Sequence, residues 1–321
     1  MWSPLSRRRT GHLGAKACNF IQSMVYSYGG ESMKIQTIGL VLNPLKPESE
    51  ALVPEVVAAC AEAGVALVAE PSSHLAPHRA SSSAEFLQAA DALLVLGGDG
   101  TILRSLRYME GRLRPILGVN LGTLGFLAEC TPDNLREAVA RLARGEYRLE
   151  ERMLLTARLE GDEEVHTALN EVVITRGSFP RMVQADSYVD GALAVRYDGD
   201  GMVVATPTGS TAYSLSTGGP IIAPGLDCLV LSPICPHTLS ARPLVVSAQS
   251  CLRLEVRPRG EDGGMLFSVD GQQCRFLREA SVIHIGCEPQ RLPFVRFGED
   301  RFFALLRNKL SKWGGEAPFD A

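Results

Sequence analysis

The stretch at residues 93–103 constrains the fold most, because it joins three kinds of local structure in a short span. An apolar run ends abruptly at Gly-Gly-Asp-Gly, residues 97–100, and helical spacing of apolar residues begins at Thr101. This order is typical of a buried strand, a tight turn and a helix. Ligands bind at that edge of open parallel sheets, and glycines before a helix let backbone N–H groups approach phosphate. The turn therefore predicts a phosphate-binding edge with Asp99 as its ionisable side chain.

The segments around this turn alternate between apolar β-rich runs and helical patterns, which is typical of a parallel sheet covered by helices. The helical pattern at 50–63 ends at Gly64, and the one after Thr131 begins with a capping residue followed by proline. Strands are predicted at 35–42, 65–69, 92–96 and 115–119, and helices at 50–63, 85–90, 101–109 and 131–144. These residues predict an N-terminal Rossmann-like α/β domain.

After residue 147 the pattern changes to short runs rich in Val, Ile, Leu and Arg, separated by turn signals, which predicts a β-rich C-terminal domain. The strands predicted there include 153–159, 165–175, 182–189, 192–197, 202–205, 252–256, 265–269 and 282–286, with a short helix near 211–216. A closing amphipathic helix at 301–312 is expected to return to the first domain through a linker at 294–297. The predicted division is 33–145 plus about 298–321 for the α/β domain and 146–297 for the β-rich domain, with 1–32 a disordered tail or a mis-assigned start.

The composition excludes several classes of function. A net charge of −4 gives no basic excess for a nucleic-acid partner, and no apolar run approaches the length of a bilayer span. The eight cysteines are scattered, mostly within apolar segments, without a C-x-x-C pair or zinc spacing, and are expected to be reduced core residues of a cytoplasmic protein. His74 and His78 stand four apart with Pro77 between them, which favours a surface loop over a metal site.

Common nucleotide signatures are absent: the chain has no P-loop, no complete dinucleotide fingerprint and no nucleophile elbow. Besides the acidic turn, three unusual stretches remain. A glycine-rich loop at 118–127 follows the next strand and is expected to face the same cleft as Asp99. Asn170-Glu171 interrupts an apolar predicted strand at 168–175, and residues 198–220 combine two aspartates with glycines, hydroxyls and one tyrosine.

Each stretch also has an ordinary structural explanation. The acidic turn can be a plain turn, Asn170-Glu171 a structural bridge, and residues 206–216 a helix cap with a polar first turn. Asp198 and Asp200 can be hairpin turn residues. The four stretches together, in this order, are much harder to explain by chance.

The combination resembles the NAD kinase family over roughly residues 34–312. The motifs that carry the resemblance are the acidic turn, Asn170-Glu171, Thr-Pro-Thr-Gly-Ser-Thr-Ala-Tyr at 206–213, Ser-Pro-Ile-Cys-Pro-His-Thr-Leu at 232–239, Arg-Pro-Leu at 242–244 and Ser-Val-Asp-Gly-Gln at 268–272. The acidic turn alone is not specific, because lipid kinases and phosphofructokinases share variants of it. The Asn-Glu pair together with the Thr-Ala-Tyr segment is specific.

The resemblance implies transfer of the γ-phosphoryl group of ATP to the 2′-hydroxyl of the adenosine ribose of NAD, which gives NADP and ADP. Asp99 would be the general base toward that hydroxyl, and Arg104 would face phosphate. Asn170 and Glu171 would hydrogen-bond the adenosine moiety. The other NAD contacts that the resemblance implies are Gly100, Arg181, Asp198, Asp200, Thr211, Ala212, Tyr213, Ser214, Leu215, Ser216 and Gln272.

The same resemblance implies a divalent cation, usually Mg²⁺, that arrives with ATP rather than in a built-in metal site. It also implies a homodimer or homotetramer through the β-rich domain, with NAD and ATP as partners and neither nucleic acid nor membrane. Two alternatives stay open. A lipid or sphingoid-base kinase would share the acidic turn but have no reason for Asn170-Glu171, and a non-catalytic NAD(P)-binding regulator would be expected to lack the acid at position 99.

Overall fold

The structure, a computed structural model, describes residues 33–75, 78–109, 111–122, 125–177, 182–238, 240–260, 264–299 and 301–314. The predicted tail at 1–32 and the predicted contact Arg181 lie outside the described residues. Among the residues described, no helix is both long and apolar enough to cross a membrane.

The described strands and helices are numbered here in chain order. The strands are β1 Thr37–Leu42, β2 Ala66–Ala69, β3 Ala92–Gly97, β4 Ile116–Asn120, β5 Arg148–Arg152, β6 Leu155–Leu159, β7 His166–Ala168, β8 Glu171–Arg176, β9 Val183–Val189, β10 Ala192–Gly199, β11 Gly201–Ala205, β12 Cys228–Ile234, β13 Leu244–Ser247, β14 Leu252–Pro258, β15 Met265–Val269, β16 Gln273–Leu277, β17 Ser281–Cys287 and β18 Leu292–Arg296. The helices are α1 Pro47–Ala51, α2 Val53–Ala63, α3 Ser83–Ala89, α4 Asp99–Met109, α5 Leu135–Arg144, α6 Tyr213–Ser216 and α7 Phe302–Gly314, with 3₁₀ turns at Pro132–Asn134 and Gly209–Thr211.

The first sheet has the strand order β2-β1-β3-β4-β18-β5, and β1 to β4 are parallel. Helices α2 and α5 bury one of its faces through residues such as Val56 and Leu142. Helices α3 and α4 bury the other face through residues such as Phe86 and Ile102. Because both faces are covered, β3 and β4 are buried along their whole length and read as continuous apolar runs. The predicted α/β architecture is confirmed.

The predicted linker at 294–297 is wrong, because β18 is a strand of this first sheet. Phe294 pairs in parallel with Ile116 of β4, and β18 runs antiparallel to β5 along its whole length. Both β5 and β18 come from the span that the sequence assigns to the β-rich domain. Charged residues of these two strands pair with each other, since Arg296 Nε lies 2.5 Å from Glu150 Oε2. Their charges therefore do not indicate a solvent-exposed linker.

Two antiparallel sheets form most of the chain between β5 and β18, which confirms the predicted β-rich domain. Their strand orders are β10-β9-β14-β17-β6-β7 and β13-β12-β11-β8-β15-β16. Inward-facing residues of both sheets, such as Leu254 and Ile174, share one core between them. In β14 burial alternates residue by residue, which is the period expected when one face of a strand meets the core.

Two local expectations differ from the structure. The predicted strand at 168–175 is interrupted: β7 ends at Ala168 and β8 begins at Glu171, so Asn170 lies in the turn between them. The cysteines are not mostly core residues, because of the seven described only Cys60 and Cys130 are buried, while three are exposed. Those three lie in turns or on the edge strand β16, where an apolar neighbourhood in sequence does not imply burial.

Candidate active site

Asp99 is the first residue of α4, directly after β3, at the carboxyl edge of the parallel sheet. Its carboxylate accepts two backbone hydrogen bonds, from Phe126 N–H to Oδ2 at 2.9 Å and from Leu127 N–H to Oδ1 at 3.2 Å. Both donors belong to the glycine-rich loop that follows β4. The two bonds orient the carboxylate, which stays half-exposed.

Gly125 explains why this loop is rich in glycine. A Cβ at position 125 would lie 1.9 Å from Asp99 Oδ1, which is far inside van der Waals contact. The glycine therefore lets the backbone come close enough for the next two N–H groups to reach the carboxylate. The expectation that the 118–127 loop faces the same cleft as Asp99 agrees with this contact.

Arg104, expected to face phosphate, is held inside the first domain by Glu70. Arg104 Nη1 lies 3.1 Å from Glu70 Oε2, and the same guanidinium donates to the Leu42 carbonyl and to the Tyr108 hydroxyl. The Glu70 side chain is only 3% exposed, whereas that of Arg104 is 24% exposed, so the carboxylate is shielded from solvent and the arginine is partly accessible. The sequence offers no local signal for Glu70, because its partner is distant along the chain.

Two contacts bring the β-rich part of the chain onto the Asp99 edge. Gln272 Nε2 donates to the Gly100 carbonyl at 3.0 Å, so the predicted glutamine touches the predicted turn. Leu169, which precedes the Asn-Glu pair, belongs to the same buried cluster as Ile102 and Leu127. The acidic turn and the Asn170-Glu171 turn therefore lie on the two sides of one cleft.

Asp270 shapes the Asn170-Glu171 turn and was missed as a site residue by sequence reasoning. Its carboxylate accepts N–H bonds from Leu169, Asn170 and Glu171 at 2.9, 2.8 and 3.0 Å. Its own N–H donates to the Glu171 carbonyl at 2.9 Å. Burial raises the pKa of Asp270, and the three N–H bonds act against that rise. The signal available in the sequence was Asp270-Gly271, a turn dipeptide whose residues both have a positive φ here.

Glu171 is a buried carboxyl, 7% exposed, with one oxygen that has no hydrogen-bond partner in the structure. Burial, together with the nearby charge of Asp270, raises its pKa to about 8, although the Tyr213 backbone N–H donates to it. The protonated form therefore prevails at neutral pH, and the carboxyl can donate a hydrogen bond as well as accept one.

The 206–216 segment packs directly on Asn170. Thr206 N–H donates to the Asn170 carbonyl at 2.8 Å, and a Cβ on Gly209 would lie 2.1 Å from that same oxygen. Tyr213 follows and is 39% exposed, so its ring is available to a ligand. Ser214, in contrast, is fully buried, and its hydroxyl lies 3.1 Å from that of Ser232.

The remaining predicted contacts divide into two groups. Asp200 forms an ion pair with Arg176, with 2.8 Å between Arg176 Nε and Asp200 Oδ1. Burial is the main cause of the raised pKa of the Tyr213 phenol, and the negative charge of Asp200 raises it further. Asp198 lies in β10, and its carboxylate accepts two hydrogen bonds of 2.9 Å from the guanidinium of Arg259. Neither bond involves a residue described above at the cleft. Around Tyr213, the side chains of Thr211, Ala212 and Leu215 are half-buried and that of Ser216 is exposed.

Within the described ranges, no group of three or more His, Cys, Asp or Glu residues is arranged to hold a metal ion. A cavity of about 210 Å³ lies beside the cleft between α4 and β7, with Leu103, Arg107, His166 and Gln272 among its lining residues. Asp99 and Glu171 do not line it, so its location does not identify the reactive group.

Comparisons with known proteins agree with this geometry. The family model described as "ATP-NAD kinase N-terminal domain" matches residues 38–147, and the one described as "ATP-NAD kinase C-terminal domain" matches residues 169–297. The NAD kinase of Moorella thermoacetica is 39% identical over 285 residues, which cover 87% of this chain and 91% of that protein. The NAD kinase of Geobacter metallireducens is 42% identical over 248 residues, 75% of this chain and 87% of that protein.

Two solved structures have the same fold. Yeast NADH kinase complexed with NADH has a TM-score of 0.79 and 26% identity, and the match covers 90% of this chain and 91% of that one. An NAD kinase from Archaeoglobus fulgidus in complex with ATP has a TM-score of 0.68 and 27% identity, and the match covers 84% of this chain and 96% of that one. Both domains match NAD kinases, which favours this function over a lipid-type kinase or a non-catalytic regulator. The chain therefore belongs to the ATP-NAD kinase family, and its enzymatic activity is that of an ATP-dependent NAD kinase.

Proposed function

We propose that the chain transfers the γ-phosphoryl group of ATP to the 2′-hydroxyl of the adenosine ribose of NAD, with Asp99 as general base. The observation that carries this proposal is the Asp99 carboxylate itself. It is half-exposed at the carboxyl edge of the parallel sheet and is oriented by the N–H groups of Phe126 and Leu127. Each oxygen accepts one N–H bond, so a lone pair remains to accept a proton from a hydroxyl.

The chemical step needs positioning more than covalent help, because phosphoryl transfer passes through a loose transition state. Asp99 accepts the ribose proton as the oxygen attacks the γ-phosphorus and ADP leaves. A positioned base contributes about 10²–10⁴-fold to such a step. The open N–H groups of the glycine turn at the start of α4 favour the phosphates of the incoming nucleotide.

The adenosine side of NAD is assigned to the Asn170-Glu171 turn and the segment after Thr206. Protonated Glu171 offers a donor and an acceptor to a ribose hydroxyl, and the exposed Tyr213 ring offers a flat apolar surface. Gly100, Gln272, Asp200, Thr211, Ala212, Leu215 and Ser216 remain proposed NAD contacts. Arg104, Asp198 and Ser214 already bind partners within the protein, and Ser214 is fully buried, so we rank these three lower as NAD contacts.

The family is generally dependent on a divalent metal, and we propose Mg²⁺ that arrives with ATP as part of the substrate. The donor set of the turn fits this ion, because Asp99 supplies hard carboxylate oxygens, while phosphates and water supply most ligands of protein-bound Mg²⁺. When bound, the ion neutralises charge on the phosphates.

We also propose that the enzyme is a homodimer or homotetramer built through the β-rich domain and that it works in the cytoplasm. Edge strands β10 and β13 carry exposed apolar side chains, Leu193 and Val245, which are suited to contact between copies. The three exposed free thiols are suited to a reducing compartment. Light scattering and cell fractionation test the two proposals.

The decisive experiment is a panel of donors and acceptors with the purified protein. NADP formation is followed with ATP or polyphosphate as donor, NAD or NADH as acceptor, and with Mg²⁺ present or removed by chelation. We expect NADP from NAD, ATP and Mg²⁺, with loss of product after chelation. A folded protein that binds NAD but forms no NADP would contradict the proposal.

A further inference from the structure

We propose that Arg296 is a positioning residue for Asp99 and acts through Leu127. This inference rests on the proposed role of Asp99 as the base. Arg296 ends β18, the strand that sequence reasoning assigned to a linker. Its Nη1 donates to the Leu127 carbonyl at 2.9 Å, while the Leu127 N–H donates to Asp99 Oδ1 at 3.2 Å. Leu127 is therefore held from both sides, by the base and by the guanidinium.

The guanidinium is itself fixed by two carboxylates. Arg296 Nε lies 2.5 Å from Glu150 Oε2, and Nη1 lies 3.6 Å from Glu129 Oε2. The other oxygen of Glu129 accepts the Phe297 N–H at 2.9 Å. The side chains of Arg296, Glu129 and Glu150 are 8%, 11% and 17% exposed, so solvent screens these charges weakly. Because Glu150, Glu129 and the Leu127 carbonyl all bind its planar set of N–H donors, the Arg296 guanidinium is held in one orientation.

The same ion pairs extend to the NAD side of the cleft. Glu150 Oε1 lies 2.5 Å from Arg152 Nη2, and Arg152 Nη1 lies 3.4 Å from the hydroxyl of Thr208 in the 206–216 segment. A chain of buried polar contacts thus runs from the loop that holds the base to the segment proposed to bind NAD. Arg296 sets the position of the base relative to the acceptor hydroxyl, and a shift of about 1 Å in such a group can cost ~10²-fold in rate.

Two substitutions test this role. Arg296→Lys keeps the positive charge but replaces the rigid fork with a single ammonium group, which cannot serve Glu150 and Leu127 in the same geometry. Arg296→Gln combined with Glu129→Gln removes one charge of each sign. We expect kcat to fall about tenfold in the lysine variant and further in the double variant, because misplacement of the base slows the chemical step. The KM and Kd for NAD should stay within about twofold of wild type, since interactions made only in the transition state affect kcat.

Arg141→Gln is the matched control. Arg141 Nη2 donates to the Phe297 carbonyl at 2.9 Å, one residue along the chain from Arg296, and the structure records no contact between Arg141 and Leu127. It should lower the melting temperature while kcat stays within about twofold of wild type, because it removes structural contacts only, with the Phe297 carbonyl and ring and with the Glu146 carbonyl. Arg296 ends β18, and Arg141, on α5, binds the next residue, Phe297. A difference in kcat between variants at these two arginines therefore separates an effect on the position of Asp99 from an effect on stability.

The outcomes separate this inference from the proposed function. If the wild-type protein forms no NADP, or if Asp99→Asn keeps full activity, the proposed role of the base fails and the inference fails with it. If wild type is active, Asp99→Asn is not, and a folded Arg296→Lys variant keeps the wild-type kcat, only the positioning role is overturned. The lysine variant retains the buried charge, so it carries the test if the double variant does not fold. A fall in kcat equal to that of Arg141→Gln would also overturn it.

Discussion

Asp99 and Asp270 use the same structural device on the two sides of the cleft, but they differ in how completely their donors enclose the carboxylate. Each carboxylate accepts backbone N–H bonds from a neighbouring turn, two in the case of Asp99 and three in the case of Asp270. Asp99 stays half-exposed and is not enclosed by its donors. Asp270 is desolvated by burial, which raises its pKa, and its three donors all belong to the Leu169–Glu171 turn.

The difference shows how the surroundings of a carboxylate held by amides relate to its role. Backbone N–H groups orient both side chains, but only a carboxylate that still faces the cleft can accept a proton from a substrate. Asp270, whose carboxyl group is desolvated, instead satisfies three amides that would otherwise be unpaired, and so determines the shape of the turn. Substitutions at the two positions should therefore separate chemistry from architecture.

Asp99→Asn should produce the largest effect on turnover. The amide cannot accept the ribose proton as the carboxylate does, so kcat is expected to fall about 10²–10⁴-fold. The Kd for NAD, measured by calorimetry, should change little, because the NAD contacts proposed on the other side of the cleft remain. Wild-type turnover by this variant would show that Asp99 is not the base.

Gly125→Ala should disturb the same carboxylate without altering it chemically. The new Cβ overlaps Asp99 Oδ1, so either the loop or the carboxylate must move. We expect kcat to fall by up to about 10²-fold, since a displaced base loses its alignment with the hydroxyl. Gly225→Ala is the control, because a Cβ at 225 meets nothing within 4 Å and should leave kcat unchanged. Equal kcat in the two variants would argue against a close contact between loop and base.

Asp270→Asn should act on stability more than on chemistry. Asparagine offers one acceptor oxygen instead of two, so at least one amide of the Leu169–Glu171 turn loses its partner. The free energy of unfolding should fall by about 1–3 kcal/mol, the cost of an unsatisfied buried polar group. Urea unfolding measures it, and kcat at saturating NAD should fall far less than in Asp99→Asn. A larger kcat loss at 270 than at 99 would reverse the comparison.

Glu171 should make stability depend on pH in the opposite sense to an ordinary paired acid. Its folded pKa of about 8 lies above the unfolded value, so the folded state keeps a proton that the unfolded state has lost. The free energy of unfolding should therefore fall as pH rises from about 4.5 toward 8, by at most roughly 1.4 kcal/mol per pH unit from this group. Urea titrations at pH 5.5 and 7.5 should show a smaller fall in Glu171→Gln, whereas the exposed control Glu151→Gln should match wild type.

Local patterns in the sequence predicted the first half of the fold well, for a physical reason. In β3 and β4 both faces are buried, so apolar runs without alternation mark them directly. Gly64 and Gly145 end α2 and α5 in left-handed conformations that glycine adopts without strain, and these stops were visible as residue types. The acidic turn was recognisable because strand, glycines and helix follow one another without interruption.

The same patterns do not reveal partners that lie far along the chain. Arg104 is expected to face phosphate, and the structure adds that Glu70 from another loop binds its guanidinium. The segment at 294–297 was expected to be a linker, but β4 and β5 provide pairing partners for it, and β18 completes the sheet. Ser214 belongs to a polar motif, but its hydroxyl turns toward Ser232 rather than outward. None of these partners can be inferred from spacing within the segment itself.

The sequence by itself determined the α/β and β-rich architecture, the position of Asp99 at a sheet edge and the family to which the motifs point. Those features depend on residue type and spacing within about a dozen positions, where hydrophobic periodicity and glycine conformations act. Tertiary structure alone decided that the N–H groups of Phe126 and Leu127 bind Asp99, that Asp270 accepts the amides of the Asn-Glu turn, and that Arg296 donates to the Leu127 carbonyl. Those roles depend on which distant hydrogen-bonding groups become neighbours when the core is buried, and no spacing within a single segment determines that.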